Sequence, residues 1–324
     1  MRLRNNRFFQ IHFGLSRLGW TRWFAVHALI LFCALSATGQ HPSNDVPIRA
    51  DVDLVQLAVS VTDPYGRLVV GLERENFRLY EDKVEQEISH FMQWDTPVSI
   101  GIVVDLSGSM ADRVQYVHQA MQQFVRVANP QDEYCLVTVS DRAVLSSPFT
   151  RHSDRMLTRL LYREADGRTA LLDGIYLAFA ELRRSIHERR ALLVISDGGD
   201  NHSRYNERDV RDVSREADVQ VYTIGIFDPV NHRGTTEEMY GPEMLNSLAE
   251  NAGGRSFYIK DMRDLTDIAT KISLTLRNQY LIGYRSSNRA PDGKWRKLKI
   301  KLSPPRGLPP LRAYSRSGYY APET

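Results

Sequence analysis

Two short segments of the sequence carry oxygen-bearing side chains of the kind that bind hard metal ions. Asp105, Ser107 and Ser109 alternate in the run Asp-Leu-Ser-Gly-Ser, so three side-chain oxygens of one loop can point toward one position. Gly108 lets the backbone turn tightly around that position, because it has no side chain. Asp197, in the run Ser-Asp-Gly-Gly-Asp, offers a second carboxylate. The chemistry that such a set could perform is coordination of a cation.

A third segment, Gly-Arg-Thr at 167–169, adds a hydroxyl just before a predicted helix. With Thr169, the set has two carboxylates and three hydroxyls, and it contains neither His nor Cys. Oxygen ligands of this kind suit Mg²⁺, with Mn²⁺ or Ca²⁺ as alternatives, and disfavour zinc. Two charged ligands about neutralise a divalent ion without filling its coordination shell. One position is then left for water or for an Asp or Glu carboxylate of a protein partner.

The elements around these segments should place them at one edge of a sheet. Val98–Val104 and Ala191–Ile195 are continuous apolar runs, which is typical of strands buried on both faces of a parallel sheet. Asp105 and Asp197 follow these runs, and ligands of doubly wound sheets bind beyond the carboxyl ends of the strands. Strand and helix patterns alternate over 96–278, which predicts an α/β fold with a doubly wound, mostly parallel sheet. The other predicted strands of this unit are 134–139, 143–146, 219–226 and 256–259, and the predicted helices are 112–128, 153–162, 170–184, 206–217, 243–251 and 262–277.

Two β segments flank the predicted α/β unit. Residues 51–95 and 279–324 contain short strands, and each segment is too small to close a core of its own. We expect the two segments to pair into one β-sandwich, with the α/β domain at 96–278 inserted between them. The alternative is two separate β flaps that pack on the α/β domain.

The first 39 residues have the features of a secretory signal. They contain five arginines and no acidic residue, followed by the apolar run 23–37 and by small residues that suit cleavage between Gly39 and Gln40. The apolar run is shorter than the ~20 residues of a spanning helix, so a secreted or periplasmic protein is favoured over the alternative, an N-terminal membrane anchor. Residues 40–50 are predicted to be a linker, and the mature chain is expected to have no membrane span.

The composition disfavours two classes of protein. The formal net charge of +3 comes from the leader, since without its five arginines 37 basic residues face 39 acidic ones. A nucleic-acid-binding protein would need a basic stripe on its folded part, so no nucleic-acid partner is expected. Of the two cysteines, Cys33 lies in the leader, and Cys135 lies alone in a predicted strand. A disulfide framework is therefore absent, and Cys135 is expected in the core.

The three candidate metal-binding segments resemble the metal-ion-dependent adhesion site of von Willebrand factor A domains. The resemblance rests on the DxSxS loop at 105–109, the Thr169 of GRTALLDGI and the Asp197 of VISDG, in the family's order and spacing over roughly 96–278. It implies that the loop side chains hold the metal, with Thr169 and Asp197 bound directly or through water. The flanks, which include NFRLYEDKVEQEISHF, DGKWRKLKIKL and RSGYYAP, are similar to those of secreted bacterial proteins related to this family.

Asp112 matches one position of a second metal site that integrin β subunits build beside the first. The next residue here is the positively charged Arg113, so the second metal site is predicted to be absent. Asp112 is instead expected to be an acidic residue in the first turn of a helix, where it interacts favourably with the helix dipole.

These features predict a secreted, metal-dependent protein-binding module that acts in adhesion or assembly. One alternative is a structural scaffold of the envelope, in which the metal only staples loops together. Another is a metal-dependent hydrolase built on Asp105 and Asp197. An enzyme is disfavoured, because no motif places a histidine beside Ser107 or Ser109 to act as a base.

Overall fold

The computed structural model describes residues 54–93, 95–197, 199–226 and 236–323, with the backbone alone at 236–240. The predicted leader at 1–39 and linker at 40–50 lie outside these residues. So does the first part of the Gly- and Pro-containing segment 228–242, which the sequence predicts to be an insertion between the strand at 219–226 and the helix at 243–251. The strands within the described residues are, in chain order, β1 (Leu54–Thr62), β2 (Phe77–Glu81), β3 (Val84–Gln86), β4 (Ile88–Gln93), β5 (Ser99–Asp105), β6 (Glu133–Val139), β7 (Ala143–Thr150), β8 (Arg190–Ser196), β9 (Gln220–Ile226), β10 (Ser256–Ile259), β11 (Tyr280–Arg285), β12 (Trp295–Leu302), β13 (Arg312–Tyr314) and β14 (Gly318–Tyr320). The α-helices are α1 (Val114–Val127), α2 (Ser153–Leu161), α3 (Leu171–Leu182), α4 (Glu207–Glu216), α5 (Thr236–Asn251) and α6 (Asp264–Arg277).

The central sheet has six strands in the order β10-β9-β8-β5-β6-β7. Neighbouring strands run parallel except β7, which is antiparallel to β6. β5 is buried along its whole length, as expected for an apolar strand that is covered on both faces. The predicted α/β fold with a mostly parallel sheet is therefore confirmed.

Helices cover both faces of this sheet. One apolar cluster joins Ile102 of β5 to Phe124 of α1 and Leu276 of α6. A second cluster joins Val103, the next residue of β5, to Phe179 of α3. Because successive side chains of a strand point to opposite faces, the two clusters lie on opposite sides of the sheet. Cys135 of β6 is fully buried, as predicted for a core thiol, and burial raises its pKa to about 12.

Two antiparallel sheets of four strands flank the central sheet, in the orders β13-β1-β11-β4 and β14-β12-β2-β3. Each combines strands that precede and follow the α/β unit, since β1 pairs with β11 and β2 pairs with β12. One apolar cluster contains Leu57 and Tyr280 from the first sheet and Leu79 and Leu298 from the second. The N- and C-terminal segments thus form the predicted flanking sandwich, whereas the domain boundaries at 96 and 278 stay predictions.

A buried carboxylate ties the two flanking sheets together. The side chain of Glu81, at the end of β2, accepts hydrogen bonds from the Tyr284 hydroxyl at 2.6 Å, the Ser286 hydroxyl at 2.6 Å and the Tyr319 hydroxyl at 3.0 Å. Tyr284 belongs to the opposite sheet, and both it and Glu81 are buried. Three hydroxyl donors replace the water that this carboxylate loses on burial.

The chain passes from one flanking sheet to the other at Glu87. The strand that the sequence predicts over Glu87–Phe91 is confirmed as β4, whereas no strand is predicted at the position of β3. β3 pairs with β2 in one sheet, and β4 pairs with β11 in the other. Gln86 and Ile88, on either side of the crossing, are both buried. The alternation of the sequence continues through this point, so it does not reveal the change of sheet.

Three further differences from the predicted elements concern the starts of two helices and one additional strand. The predicted helix over 112–128 begins as a 3₁₀ turn at Gly108–Arg113 and becomes α1 only at Val114. α5 begins at Thr236 and contains Pro242, whereas the helix was predicted to begin only at 243. β14 was not expected. None of the helices in the described part of the chain combines the length and apolar character needed to cross a membrane.

Candidate metal centre

Asp105 is fully buried at the carboxyl end of β5, and its carboxylate is fixed from two sides. Its Oδ1 accepts a hydrogen bond from the Ser107 backbone N–H at 2.9 Å. Its Oδ2 accepts one from the Ser196 hydroxyl at 2.7 Å. Ser196 ends β8, and Val104 of β5 pairs with Ile195 of β8 in the parallel register. The ends of two neighbouring strands therefore meet at this carboxylate.

The loop after Asp105 brings two hydroxyls together. The Oγ atoms of Ser107 and Ser109 lie 3.1 Å apart and share a hydrogen bond. Ser107 is buried, whereas Ser109 is exposed. The 3₁₀ turn that carries Ser109 is anchored by the fully buried Met110, whose N–H donates to the Ser107 carbonyl at 2.9 Å. The two hydroxyls thus span the distance from the buried carboxylate to the surface.

Asp197 follows β8 and places a second carboxylate near the first. Burial, together with the negative charge of Asp197, raises the pKa of Asp105 to about 6, against the opposing effect of hydrogen bonds from Ser196 and Ser107. The side chain of Asp197 is 20% exposed. A divalent cation between the two carboxylates would favour their charged forms, and serine hydroxyls would complete an oxygen shell, so the residues fit such an ion.

The segment that precedes Thr169 is bonded to the loop of Asp105. The Gly108 N–H donates to the Gly167 carbonyl at 3.1 Å, and the Asp166 N–H donates to the Leu106 carbonyl at 2.9 Å. Gly167 has a φ of +82°, and a Cβ atom there would lie 2.9 Å from the carboxyl carbon of Asp141. Only glycine fits this close approach without strain.

Thr169 is buried and is held by the loop that follows β8. Its N–H donates to the side-chain carbonyl of Asn201 at 3.0 Å. Its carbonyl accepts from the N–H groups of Asn201 and His202 at 3.0 and 3.1 Å. The segments that carry Thr169 and Asp197 are therefore joined by three hydrogen bonds. Asn201 is a supporting residue that sequence reasoning missed, and its only signal was a short polar run after Asp197.

Asp173, in the first turn of α3, holds the same loop further along. Its Oδ1 accepts from the N–H groups of Arg204 and Tyr205 at 2.8 and 3.1 Å, and its Oδ2 accepts from Arg204 Nε at 3.1 Å. Burial acts to raise the pKa of Asp173, but these hydrogen bonds outweigh it and lower that pKa. The Tyr205 ring stacks on Tyr176, with centroids 3.8 Å apart. Residues 199–205 are thereby fastened to α3.

The basic residue Arg113 lies at the candidate centre. Arg113 Nη1 is 3.5 Å from Asp197 Oδ2, and the Arg113 side chain is 16% exposed. Asp112, the residue before it, is exposed on the 3₁₀ turn.

The structure brings the five predicted ligands to one end of the sheet by different means. Hydrogen bonds connect Asp105, Ser107 and Ser109 directly, backbone bonds bring in the segment of Thr169, and Asp197 interacts with Asp105 through its charge. Across the described residues, no group of three or more His, Cys, Asp or Glu side chains is placed to hold a metal. The candidate centre therefore depends on hydroxyls, and its role in metal binding stays a prediction.

Residues 100–199 match the family model of the von Willebrand factor type A domain. This part of the chain is therefore similar to a von Willebrand factor type A domain. The matched residues include all five predicted metal ligands, whereas every strand of the two flanking sheets lies outside them.

Comparison with individual proteins gives more distant similarities. An uncharacterized protein of Borreliella burgdorferi is 23% identical over 184 residues, which cover 50% of this chain and 54% of the relative. The chain thus spans about half the length of this curated relative. Among solved structures, the von Willebrand factor type A protein from Catenulispora acidiphila is 10% identical with a TM-score of 0.49, over 81% of this chain and 73% of that one. The PilB minor pilin from Streptococcus sanguinis is 16% identical with a TM-score of 0.46, over 57% and 62%. The vWF domain of the type V pili tip protein Mfa5 from Porphyromonas gingivalis is 13% identical with a TM-score of 0.45, over 57% and 97%.

Proposed function

We propose that this chain is an exported protein-binding module whose A domain captures an acidic residue of a partner through a divalent cation. The observation that carries the proposal is the pair of carboxylates, Asp105 and Asp197, at the ends of adjacent strands, with the hydroxyls of Ser107 and Ser109 beside the first. The cation would be Mg²⁺, with Mn²⁺ or Ca²⁺ as alternatives. Export is proposed on the basis of the leader at 1–39.

The residues of the chain would divide the work of holding the ion. Asp105 supplies a carboxylate that Ser196 and the Ser107 N–H keep in one orientation. Ser107 and Ser109 supply hydroxyl oxygens, and Thr169 supplies a third from a segment bonded to the same loop. Asp197 supplies the second negative charge. A bound divalent ion would add positive charge and a coordination position that accepts a carboxylate oxygen.

The exposure of the centre suits a protein partner. Asp105, Ser107 and Thr169 are buried, whereas Ser109 is exposed and Asp197 is partly exposed. The ligands therefore run from the interior to the surface, and an incoming Asp or Glu side chain would meet the ion from the exposed side. In this partly dry setting the attraction between ion and carboxylate is stronger than in bulk water.

Binding is favoured over hydrolysis by the pairing of the hydroxyls. The Ser107 and Ser109 hydroxyls bond to each other, which serves coordination better than nucleophilic attack. Within the described residues, neither hydroxyl has a hydrogen bond to a histidine side chain, and His118 is buried on α1. A nucleophilic serine needs a base within hydrogen-bond reach.

Metal-dependent capture of a partner distinguishes an adhesion module from a scaffold whose metal only holds its loops in place. The full-length protein is immobilised and exposed to the envelope fraction of the source cells in Mg²⁺, then washed with EDTA. We expect a partner that binds in Mg²⁺, elutes in EDTA and is not captured by an Asp105→Ala variant. If EDTA lowers only the melting temperature and leaves capture unchanged, the metal is a staple and the adhesion proposal is wrong.

A further inference from the structure

Arg113 is a basic residue that lies beside the predicted cation site. Its guanidinium lies 3.5 Å from the carboxylate of Asp197, and its side chain is only 16% exposed to solvent. A charge that is largely removed from water is retained where an opposite charge compensates it. The predicted ligand Asp197 provides that compensation.

The fold holds this arginine close to the ligands. Arg113 ends the 3₁₀ turn Gly108–Arg113, which also carries Ser109. The turn is anchored in the core by Met110, which is fully buried. Arg113 therefore stays within reach of the carboxylates for as long as the turn keeps Ser109 in place.

The charges at the centre show what the arginine does there. Asp105 and Asp197 together carry two negative charges when both are ionised, and Arg113 already offsets one of them. A divalent ion and the two carboxylates alone would have a net charge of about zero. With Arg113 included, the net charge of the centre would be about plus one. Two cations that share one carboxylate repel each other, and the repulsion is strong where water is partly excluded.

We propose that Arg113 is a built-in counter-ion that competes with the divalent cation for Asp197 and so limits the affinity of the centre. This inference rests on the proposed function, because it assigns Arg113 a role at the same metal site. The arginine compensates the carboxylates when little metal is present. The centre then binds a divalent ion only at metal concentrations high enough for the ion to compete with the Arg113 guanidinium for Asp197.

The test compares Arg113→Gln with the parent in the full-length protein. Gln keeps much of the side-chain volume and removes the charge. We expect the affinity for Mg²⁺ and Mn²⁺, measured by calorimetry, to rise about tenfold in the variant, because one opposing charge is gone. In EDTA the same variant should melt about 2 °C or more below the parent, since its carboxylates lose their counter-ion.

Two control variants separate this effect from a general change of charge. Arg113→Lys retains the cation and should bind metal about as the parent does. Arg168→Gln removes an exposed arginine near Thr169, one that pairs with Asp141 rather than with Asp197. Its effect on metal affinity should be several-fold smaller than that of Arg113→Gln.

The possible results distinguish this inference from the proposed function. Equal or lower affinity in Arg113→Gln, with clear metal binding by the parent, would overturn the competition and leave the metal site standing. Absence of metal binding in both proteins would contradict the proposed function, and the competition with it. The inference is supported if Arg113→Gln binds metal more tightly than the parent and melts at a lower temperature in EDTA, while Arg113→Lys and Arg168→Gln bind metal about as the parent does.

Discussion

The Ser196 hydroxyl donates a hydrogen bond to Oδ2 of Asp105 at 2.7 Å and so links the carboxyl ends of β8 and β5. Both side chains are fully buried. The opposite carboxylate oxygen accepts the Ser107 N–H. Asp105 therefore has one orientation, which is set by the neighbouring strand on one side and by its own loop on the other.

Replacing Ser196 by alanine should destabilise the protein by about 1–3 kcal/mol, because a buried carboxylate loses one of its donors. Chemical denaturation in EDTA measures this free energy of unfolding. A Ser185→Ala variant serves as a comparison, since the partly exposed Ser185 donates its hydroxyl to the Leu182 carbonyl at 2.8 Å, and it should cost less. An Ser196→Ala protein as stable as the parent would show that this hydrogen bond does not fix Asp105.

The Thr169 segment should depend on Asn201. Asn201→Ala removes the acceptor of the Thr169 N–H, and a hydrogen bond of this kind contributes about 0.5–1.5 kcal/mol. If Thr169 is a metal ligand, calorimetry should show a several-fold loss of Mg²⁺ affinity. Asn201→Asp keeps an acceptor oxygen at the same place and should retain more of the affinity. Identical affinities for Asn201→Ala and the parent would mean that the position of Thr169 does not matter for the metal.

The stability of the domain should depend on pH through Asp132, which directly precedes β6 and is not one of the candidate ligands. Burial raises the pKa of Asp132 to about 6, against the lowering effect of hydrogen bonds from the N–H groups of Val98 and Asn129. The folded pKa exceeds the usual value of 3.8, so the folded protein binds more protons between these values. Stability contributed by this group is therefore present below about pH 4 and is lost as the pH rises through about 6.

Denaturation of the parent and of Asp132→Asn from pH 4 to pH 7 measures this contribution. The difference between their free energies of unfolding should change by about 2–3 kcal/mol over the range, in favour of the variant as the pH rises. The amide group of the variant accepts fewer hydrogen bonds than the carboxylate, which accepts one on each oxygen, so the test is the change of the difference with pH and not its absolute value. A difference that is constant with pH would contradict the raised pKa.

The sequence was most informative where local pattern alone decides the structure. The apolar run before Asp105 predicts a strand buried on both faces, and the structure has β5 at Ser99–Asp105. The alternation of strands and helices predicts the central sheet. Since parallel strands place their carboxyl ends at one edge, the meeting of the Asp105 and Asp197 segments also follows from the pattern.

Features that depend on distant partners could not be predicted in this way. The change of sheet at Glu87 is set by which strands β3 and β4 pair with, and the local alternation is the same for either sheet. β14 is short and begins at Gly318, where a Cβ atom would collide with the Arg296 carbonyl. The pairing of Arg113 with Asp197 joins residues 84 positions apart. No spacing in the sequence signals such a contact.

The central claim is that Asp105 and its neighbours hold a divalent cation, and calorimetric titration with Mg²⁺ tests it most directly. Asp112→Ala is the matched control, because Asp112 is an exposed acidic residue on the same turn as Ser109. The parent and Asp112→Ala should bind one Mg²⁺ with similar affinity, and Asp105→Ala should bind none while keeping its circular dichroism spectrum. Equal Mg²⁺ affinity in the parent and Asp105→Ala, or no binding by the parent, would contradict the account.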